Sequence, residues 1–331
     1  MPTNLPPEYF GAEEKYKQAT STSEKIIALE NLIATIPKHK GTDKLRASLR
    51  RRLSQHRKEA VSKKGGSRTD LYTVPKEGAA QIALVGFPNT GKSSLLASLT
   101  NAVPVIADYP LSTIMPLPGM MPYEDIQFQL VDLPPVGNES TDGWLSGIIR
   151  YADILLLILD LSDDPEVQAD LLIEQLVRWN IHLAAFPERG RAENKYQRGT
   201  KKDALLVGNK NDLPDTGFGY DTLREKHGNQ FECLSVSALK KENLEGLKQE
   251  IFTVSGVIRV YAKPPGKDAD LSTPFSIPNG STTLDLARII HKDFISNLKF
   301  ARIWGSARFD GQRVEKNYVL KDKDIVEFHL S

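Results

Sequence analysis

The run GFPNTGKS, from Gly86 to Ser93, fits the pattern GxxxxGK[ST]. The apolar run AQIALVG precedes it and an amphipathic helix follows. The chemistry this predicts is phosphate binding. Gly86 and Gly91 let the backbone turn with its N–H groups pointing inward, which makes an anion nest. The helix from Lys92 aims the positive end of its dipole at the same place. Lys92 is expected to bridge β- and γ-phosphates, and the Ser93 hydroxyl to ligate Mg²⁺. Asn89, Thr90 and Ser94 complete the expected phosphate contacts.

A second group selects a base. NKND, Asn209 to Asp212, follows directly on the strand ALLVG. A carboxylate at Asp212 accepts from guanine N1–H and the exocyclic amine. Adenine offers an amine where guanine has a carbonyl, so its pairing fails. Such a site rejects the wrong base by roughly 10⁴ or more, because its buried polar groups stay unpaired. The stem of Lys210 can cover the base. SALK, Ser237 to Lys240, follows the next strand; the backbone around Ser237, Ala238 and Leu239 is expected to read guanine O6.

The third group lies between these two. In DYPLST, Thr113 is the candidate Mg²⁺-sensing threonine, with Ser112 the alternative. Asp132 ends the apolar run before LPPV and is expected to hold Mg²⁺, directly or through water. In a DxxG motif the glycine N–H contacts the γ-phosphate. That position is Pro135, which has no N–H. One charge-assisted hydrogen bond, about 1.5–3 kcal/mol, is then unavailable. Val136 comes next, where a water-orienting glutamine would stand, and a valine cannot orient water.

Positioning these residues takes alternating strands and helices. Strands are predicted at 80–86, 126–133, 154–160, 204–209 and 231–235, with helices at 92–100, 165–180 and 244–253. This alternation implies an α/β domain with a mostly parallel sheet covered on both faces. Past Gly256 the pattern becomes short strands at 257–262, 275–277, 299–304 and 325–330, with one helix at 284–295 opened by Ser281 or Thr282. That is a small α+β module with Ile258, Val260, Ile303, Val326 and Phe328 in its core. At the other end, residues 1–22 are expected to fray. Two helices follow, one with Ile26, Leu29 and Ile33 on one face, the other with Leu45, Leu49 and Leu53. The resulting boundaries are 1–68 for the tail and basic hairpin, 79–256 for the phosphate-loop domain and 257–331 for the α+β module.

The bulk numbers narrow the function classes. The 331 residues carry a net charge of +1, so no global field draws the chain to nucleic acid or membrane. A local patch could: between Lys38 and Arg68 stand twelve Lys/Arg against two acids. Phosphate contacts by Arg50, Arg51, Arg52, Arg57 and Lys58 would bind RNA with a steep salt dependence. A solvated helix face is the alternative. Lys263, His291, Lys292, Arg302 and Arg313 are a second candidate recognition face, and Trp304 is expected to pack rather than stack on bases. A single cysteine, Cys233, excludes a disulfide framework and a Cys-rich zinc site within the chain. No apolar signal core opens the sequence, and the run 154–159 is too short to span a bilayer, so a cytoplasmic location is expected.

GFPNTGKS, DYPLST, DLPPV, NKND and SALK together resemble the Obg-like GTPases. The segment from Ile290 to Phe328 resembles the TGS domain of the developmentally regulated GTP-binding (DRG) proteins, and TIPKHKGTDKLRASLRRRLSQHRKE resembles their helical entry segment. The resemblance spans roughly residues 23–331. It implies a P-loop GTPase fold with a β-grasp TGS domain, GTP hydrolysis, association with ribosomes or RNA in translation-linked regulation, and a regulatory protein partner. It also gives Asn89 a role, since the matching asparagine of relatives helps hold a K⁺ ion in place of an arginine finger. Such an ion would offset transition-state charge.

The sequence departs from the family at several points. Pro135 replaces the family glycine, Leu111 stands for a switch phenylalanine, and GNESTDGWLSG is shorter than the family's switch. The segment before NKND is too short for the domain that eukaryotic relatives insert there, and Glu315 and Tyr318 replace a usual Gly and His. Two readings follow. One is a slow, K⁺-assisted GTPase that binds ribosome or RNA. The other is a nucleotide-binding scaffold with little or no hydrolysis.

Overall fold

The computed structural model describes residues 7–18, 22–36, 42, 46, 48–54, 74–102, 115–137, 139–185 and 200–330. Thr113, Ser112, Leu111, Leu45, Arg57 and Lys58 lie outside them. The chain divides into two compact units, Met1–Thr73 and Val74–Ser331.

In the first unit α1 (Pro7–Gln18), α2 (Thr22–Ala34) and α3 (48–54) surround a core of Tyr9, Ala12, Leu29, Leu32, Ile36 and Leu49. The helix α1 corrects the expectation of a frayed tail. Tyr9, Ala12 and Tyr16 recur at helical spacing and make an apolar stripe. Pro7 suits a first helical position, and Glu13 pairs with Lys17 at 3.1 Å across one turn. Arg50, Arg51 and Arg52 on α3 are exposed.

The second unit opens with the strand β1 (Gln81–Val85) and continues through α4 (Lys92–Leu99), β2 (Leu117–Tyr123), β3 (Ile126–Asp132) and α5 (Glu139–Tyr151). Next come β4 (Ile154–Asp160), α6 (Pro165–Arg178), β5 (Ile181–Leu183), β6 (Thr200–Asn209), α7 (Thr216–His227), β7 (Glu232–Ser235) and α8 (Leu244–Ser255). The sheet runs β2-β3-β1-β4-β6-β5, with β7 also paired to β6. Among the described strand pairs of this sheet, only β2 against β3 is antiparallel. Strands β1 and β4 are apolar almost throughout because helices cover both faces. Parallel strands finish on one edge, where ligands of open α/β sheets bind. Gly86, Asp132, Asp160, Asn209 and the loop after Ser235 all fall there.

Several elements differ from the sequence expectation. LPGMMPY forms β2 despite two prolines, because an edge strand pairs on one side only. ESTDGWLSGIIRY is the helix α5, with Leu145, Ile148 and Ile149 buried. TGFGYDTLREKH is the helix α7 and buries Leu223. Strand β6 begins at Thr200, ahead of its apolar run. The lone Cys233 is buried in β7.

Beyond Gly256, the strands β8 (Val257–Lys263), β9 (Phe275–Pro278), β10 (Leu298–Trp304), β11 (Gln312–Val314) and β12 (Asp324–Leu330) form a second sheet, ordered β11-β10-β12-β8-β9. Its helical stretch splits into α9 (Thr283–Ile290) and α10 (Lys292–Asn297), because His291 is extended at φ −164° and ψ 145°. Thr282 caps α9 through a reciprocal bond pair with Asp285. Ile258, Val260, Ile303, Val326 and Phe328 are buried in one cluster, as expected. Among the described residues no helix is long and apolar enough to cross a membrane.

Candidate functional site

The phosphate loop is built on close approach. A Cβ on Gly86 would stand 2.5 Å from Ile158 O and 2.9 Å from Thr90 Oγ1. A Cβ on Gly91, at φ 88°, would stand 2.2 Å from Asn209 Nδ2. Asn89 is exposed and left-handed at φ 64°. The buried Thr90 hydroxyl donates to Phe87 O at 3.2 Å. Helix α4 starts at Lys92 with no side-chain cap and no acid in its first turn, so no side chain of its own neutralises its amide end. Ser94 is half-buried in that turn.

Lys92 is 6% exposed, and Nζ donates to Phe87 O at 2.8 Å and Gly86 O at 3.1 Å. Burial pulls its pKa down to about 8, with Asp132 opposing. Parallel pairing of Leu84 with Asp132 brings the ends of β1 and β3 together. The Ser93 hydroxyl then donates to Asp132 Oδ2 at 2.5 Å. A hydroxyl and a buried carboxylate side by side are a hard-oxygen donor pair that fits Mg²⁺. The side-chain carbonyl of Asn89 is the right kind of donor for K⁺.

After Asp132 the chain stays buried through Leu133, Pro134, Pro135 and Val136. The Val136 N–H donates to Gly86 O at 3.1 Å. Gly86 O thus accepts from both Lys92 and the loop after β3.

The opposite side is tied by side chains. Asn209, 2% exposed, donates through Nδ2 to Thr90 O at 2.9 Å and accepts from Ala238 N at 3.0 Å. One amide therefore joins the phosphate loop to the loop after β7. The Ala238 N–H, expected to face a base, is engaged by Asn209. The Ser237 hydroxyl donates to Asp212 Oδ1 at 2.6 Å and accepts from Lys240 N at 2.9 Å. Lys210 is left-handed at φ 68°, while Leu239 is 79% exposed beside the site.

Asp160 joins the site without having been read from the sequence. It ends β4, and Lys210 Nζ donates to Oδ2. Ser162 donates to Oδ1 through its amide at 3.0 Å and its hydroxyl at 2.6 Å. Burial pushes this carboxyl up, but Lys210 and Ser162 outweigh it and hold the pKa below the ordinary range. A signal exists: ILLLILD ends on an acid at the same sheet edge as IQFQLVD.

The small domain carries a second group. Arg302 is exposed between buried Ala301 and Ile303, so it lies on the sheet face opposite the core. It pairs in register with Arg313, whose guanidinium lies 4.2 Å from the Phe300 ring centre. Phe300 stacks on His329 at 4.4 Å. Lys263 binds Glu327 and sits 4.8 Å over the Trp304 ring. His291 falls at the α9–α10 break.

Two family models match the chain: a 50S ribosome-binding GTPase over residues 81–187 and a TGS domain over 258–330. An uncharacterised GTP-binding protein of Methanocaldococcus jannaschii is 31% identical, with 92% of this chain and 91% of that protein covered. Developmentally-regulated GTP-binding protein 1 of Xenopus laevis is 26% identical over 93% of this chain and 99% of its own length. The human developmentally-regulated GTP-binding protein 2 is 25% identical, covering 92% and 98%. A GTPase sheet with its phosphate loop, a β-grasp module behind it and relatives matched nearly end to end agree: the chain belongs to the developmentally regulated GTP-binding family of GTPases with a TGS domain.

Proposed function

We propose that this protein binds GTP and GDP with Mg²⁺, hydrolyses GTP slowly with help from K⁺, and works in the cytoplasm in contact with ribosome or RNA. The observation that carries the nucleotide reading is the Asn209 brace, which links the phosphate loop and the base loop as one preorganised receptor. Gly86, Asn89, Thr90, Gly91, Lys92, Ser93 and Ser94 receive the phosphates. Asp212 accepts from the guanine edge, Lys210 covers the base, and Ser237, Ala238 and Leu239 border it. Ser93, Asp132 and Thr113 hold Mg²⁺, which when bound neutralises phosphate charge. Lys92 turns from Gly86 O and Phe87 O to the phosphates, and Asn89 holds K⁺.

Slow hydrolysis follows from the loop after β3. Pro135 has no N–H to offer a γ-phosphate, and the next donor, Val136 N–H, is bonded to Gly86 O. The same bond favours the second reading, a scaffold with little hydrolysis. RNA contact draws support from exposed Arg50, Arg51 and Arg52, and from the Arg302–Arg313 face with its aromatic neighbours.

The test is GTP turnover by purified protein in K⁺ and in Na⁺, with Pro135→Gly alongside and both affinities measured in the same buffers. Turnover should rise with K⁺. In Pro135→Gly it should rise again, by roughly tenfold to a hundredfold, the worth of one charge-assisted hydrogen bond. Tight binding with no turnover in either salt, and ribosome co-sedimentation indifferent to GTP, would establish the scaffold instead.

A further inference from the structure

The β2–β3 hairpin has one end in the nucleotide site and the other in the C-terminal domain. Its strands keep an unbroken register from Leu117 opposite Asp132 to Tyr123 opposite Ile126. At the first end Asp132 accepts from Ser93. At the other end stand the turn residues Glu124, strained at φ 48°, and Asp125. Arg259 of β8, whose side chain is 3% exposed, donates to Glu124 and, at 3.0 Å, to Asp125 Oδ1. It also grips Asp322, through Nε at 3.1 Å and a terminal nitrogen at 2.6 Å. The Tyr261 hydroxyl donates to Asp125 Oδ2, and Lys323 Nζ lies 3.3 Å from Glu124. The Arg259 guanidinium is 4.9 Å from the Phe252 ring centre, and Phe252 stacks on Tyr123 at 5.1 Å.

Exposed ion pairs hold little, but a buried guanidinium shared by three carboxylates tolerates one geometry and resists losing a partner. The hairpin tip is therefore fixed to the C-terminal domain at a defined seat. The opposite end of the same strand is Asp132, whose partner changes when the Ser93–Asp132 pair takes up a nucleotide-bound ion. A paired strand carries such a shift along its axis more readily than it bends.

We propose that Arg259 is a positioning residue that, through the β2–β3 hairpin, couples the seating of the C-terminal domain to Asp132 and so to whether GDP or GTP is bound. This rests on the nucleotide reading above. Coupling is reciprocal: nucleotide alters the clamp, and the clamp alters relative nucleotide affinity. A role confined to stability would move both affinities together.

The experiment uses the full chain, with Arg259→Gln, Arg259→Lys and Tyr261→Phe. Two quantities are read: dissociation constants for GDP and a non-hydrolysable GTP analogue, and amide exchange across β8 and residues 321–324. In the unaltered protein, exchange at those amides should differ between the two nucleotides. Arg259→Gln should erase that difference and shift the affinity ratio at least about fivefold, the low end of allosteric couplings. Arg259→Lys should recover part of it. Tyr261→Phe removes only a hydroxyl and should shift the ratio the same way by less, which decides the matter if Arg259→Gln does not fold. If both nucleotides bind, but exchange ignores which is present and the variants leave the ratio unchanged, the coupling is overturned while the nucleotide site stands. If the unaltered protein binds neither nucleotide, both fall.

Discussion

On the β6–β7 side of the nucleotide site, side chains tie three loops together; on the β3 side, backbone and proline packing hold the loop. Asn209 spans from Thr90 O to Ala238 N, and Ser237 fixes Asp212. Across the site, Pro134, Pro135 and Val136 are buried, and the Val136 N–H is bonded to Gly86 O. The first side uses groups whose polar partners are set in advance, which suits recognition. On the second, Pro135 has no N–H to offer. If the proposed reading holds, affinity and timing rest on different residues and should change separately.

The largest expected effect falls on the recognition side. Asp212→Asn should lower discrimination between GTP and ATP by roughly 10⁴, because one hydrogen-bond pattern is reversed. Competition binding measures it, and preference surviving within about tenfold would move base selection elsewhere. Asn209→Ala should come next. It strips partners from Thr90 O and Ala238 N, each costing about 1–3 kcal/mol when buried. The melting temperature and GDP affinity should fall together; a variant with normal affinity but altered turnover would break the division between the two sides.

Lys92 gives a pH dependence. Its pKa is lowered by burial from 10.5 to about 8. Between those values the unfolded chain holds more protons, so this lysine's contribution to stability improves as pH rises through the window and is least favourable below it. Bound phosphates reverse the shift, so nucleotide binding takes up a proton there. GDP affinity should decline above about pH 8, by no more than tenfold per pH unit. A flat profile across that range would remove Lys92 from phosphate contact. The smallest effect is expected from Asp160→Asn. The Lys210–Asp160 pair is partly exposed, so its loss should weaken GDP binding only a few-fold, within about 1 kcal/mol, and leave saturated turnover alone.

Ligand chemistry made the loops legible in sequence. Phosphate requires glycine where the backbone crowds, and guanine requires a carboxylate. Buried strands such as ILLLILD are legible because helices on both faces demand it. Edges are not: β2 tolerates two prolines because one side has no ladder, and the start of β6 is polar for a similar reason. Asn209 is visible as part of NKND, but its work as a brace is not, since its partners come from two distant loops. Arg259 is hidden more deeply. Its partner Asp125 is 134 residues away, and a lone arginine in VIRVYAK reads as an outward residue of a strand.

Cys233 sits in β7, opposite Leu206 and only 7% exposed. Packing over the face of β7 covers its sulfur, so a reagent reaches it only when that packing opens. With one thiol in the chain, every labelling event reports an opening at this one position. The protein thus carries its own clock for the strand that leads into the loop of Ser237 and Ala238. A nucleotide that holds Ser237 and Ala238 in place should make the clock run slow.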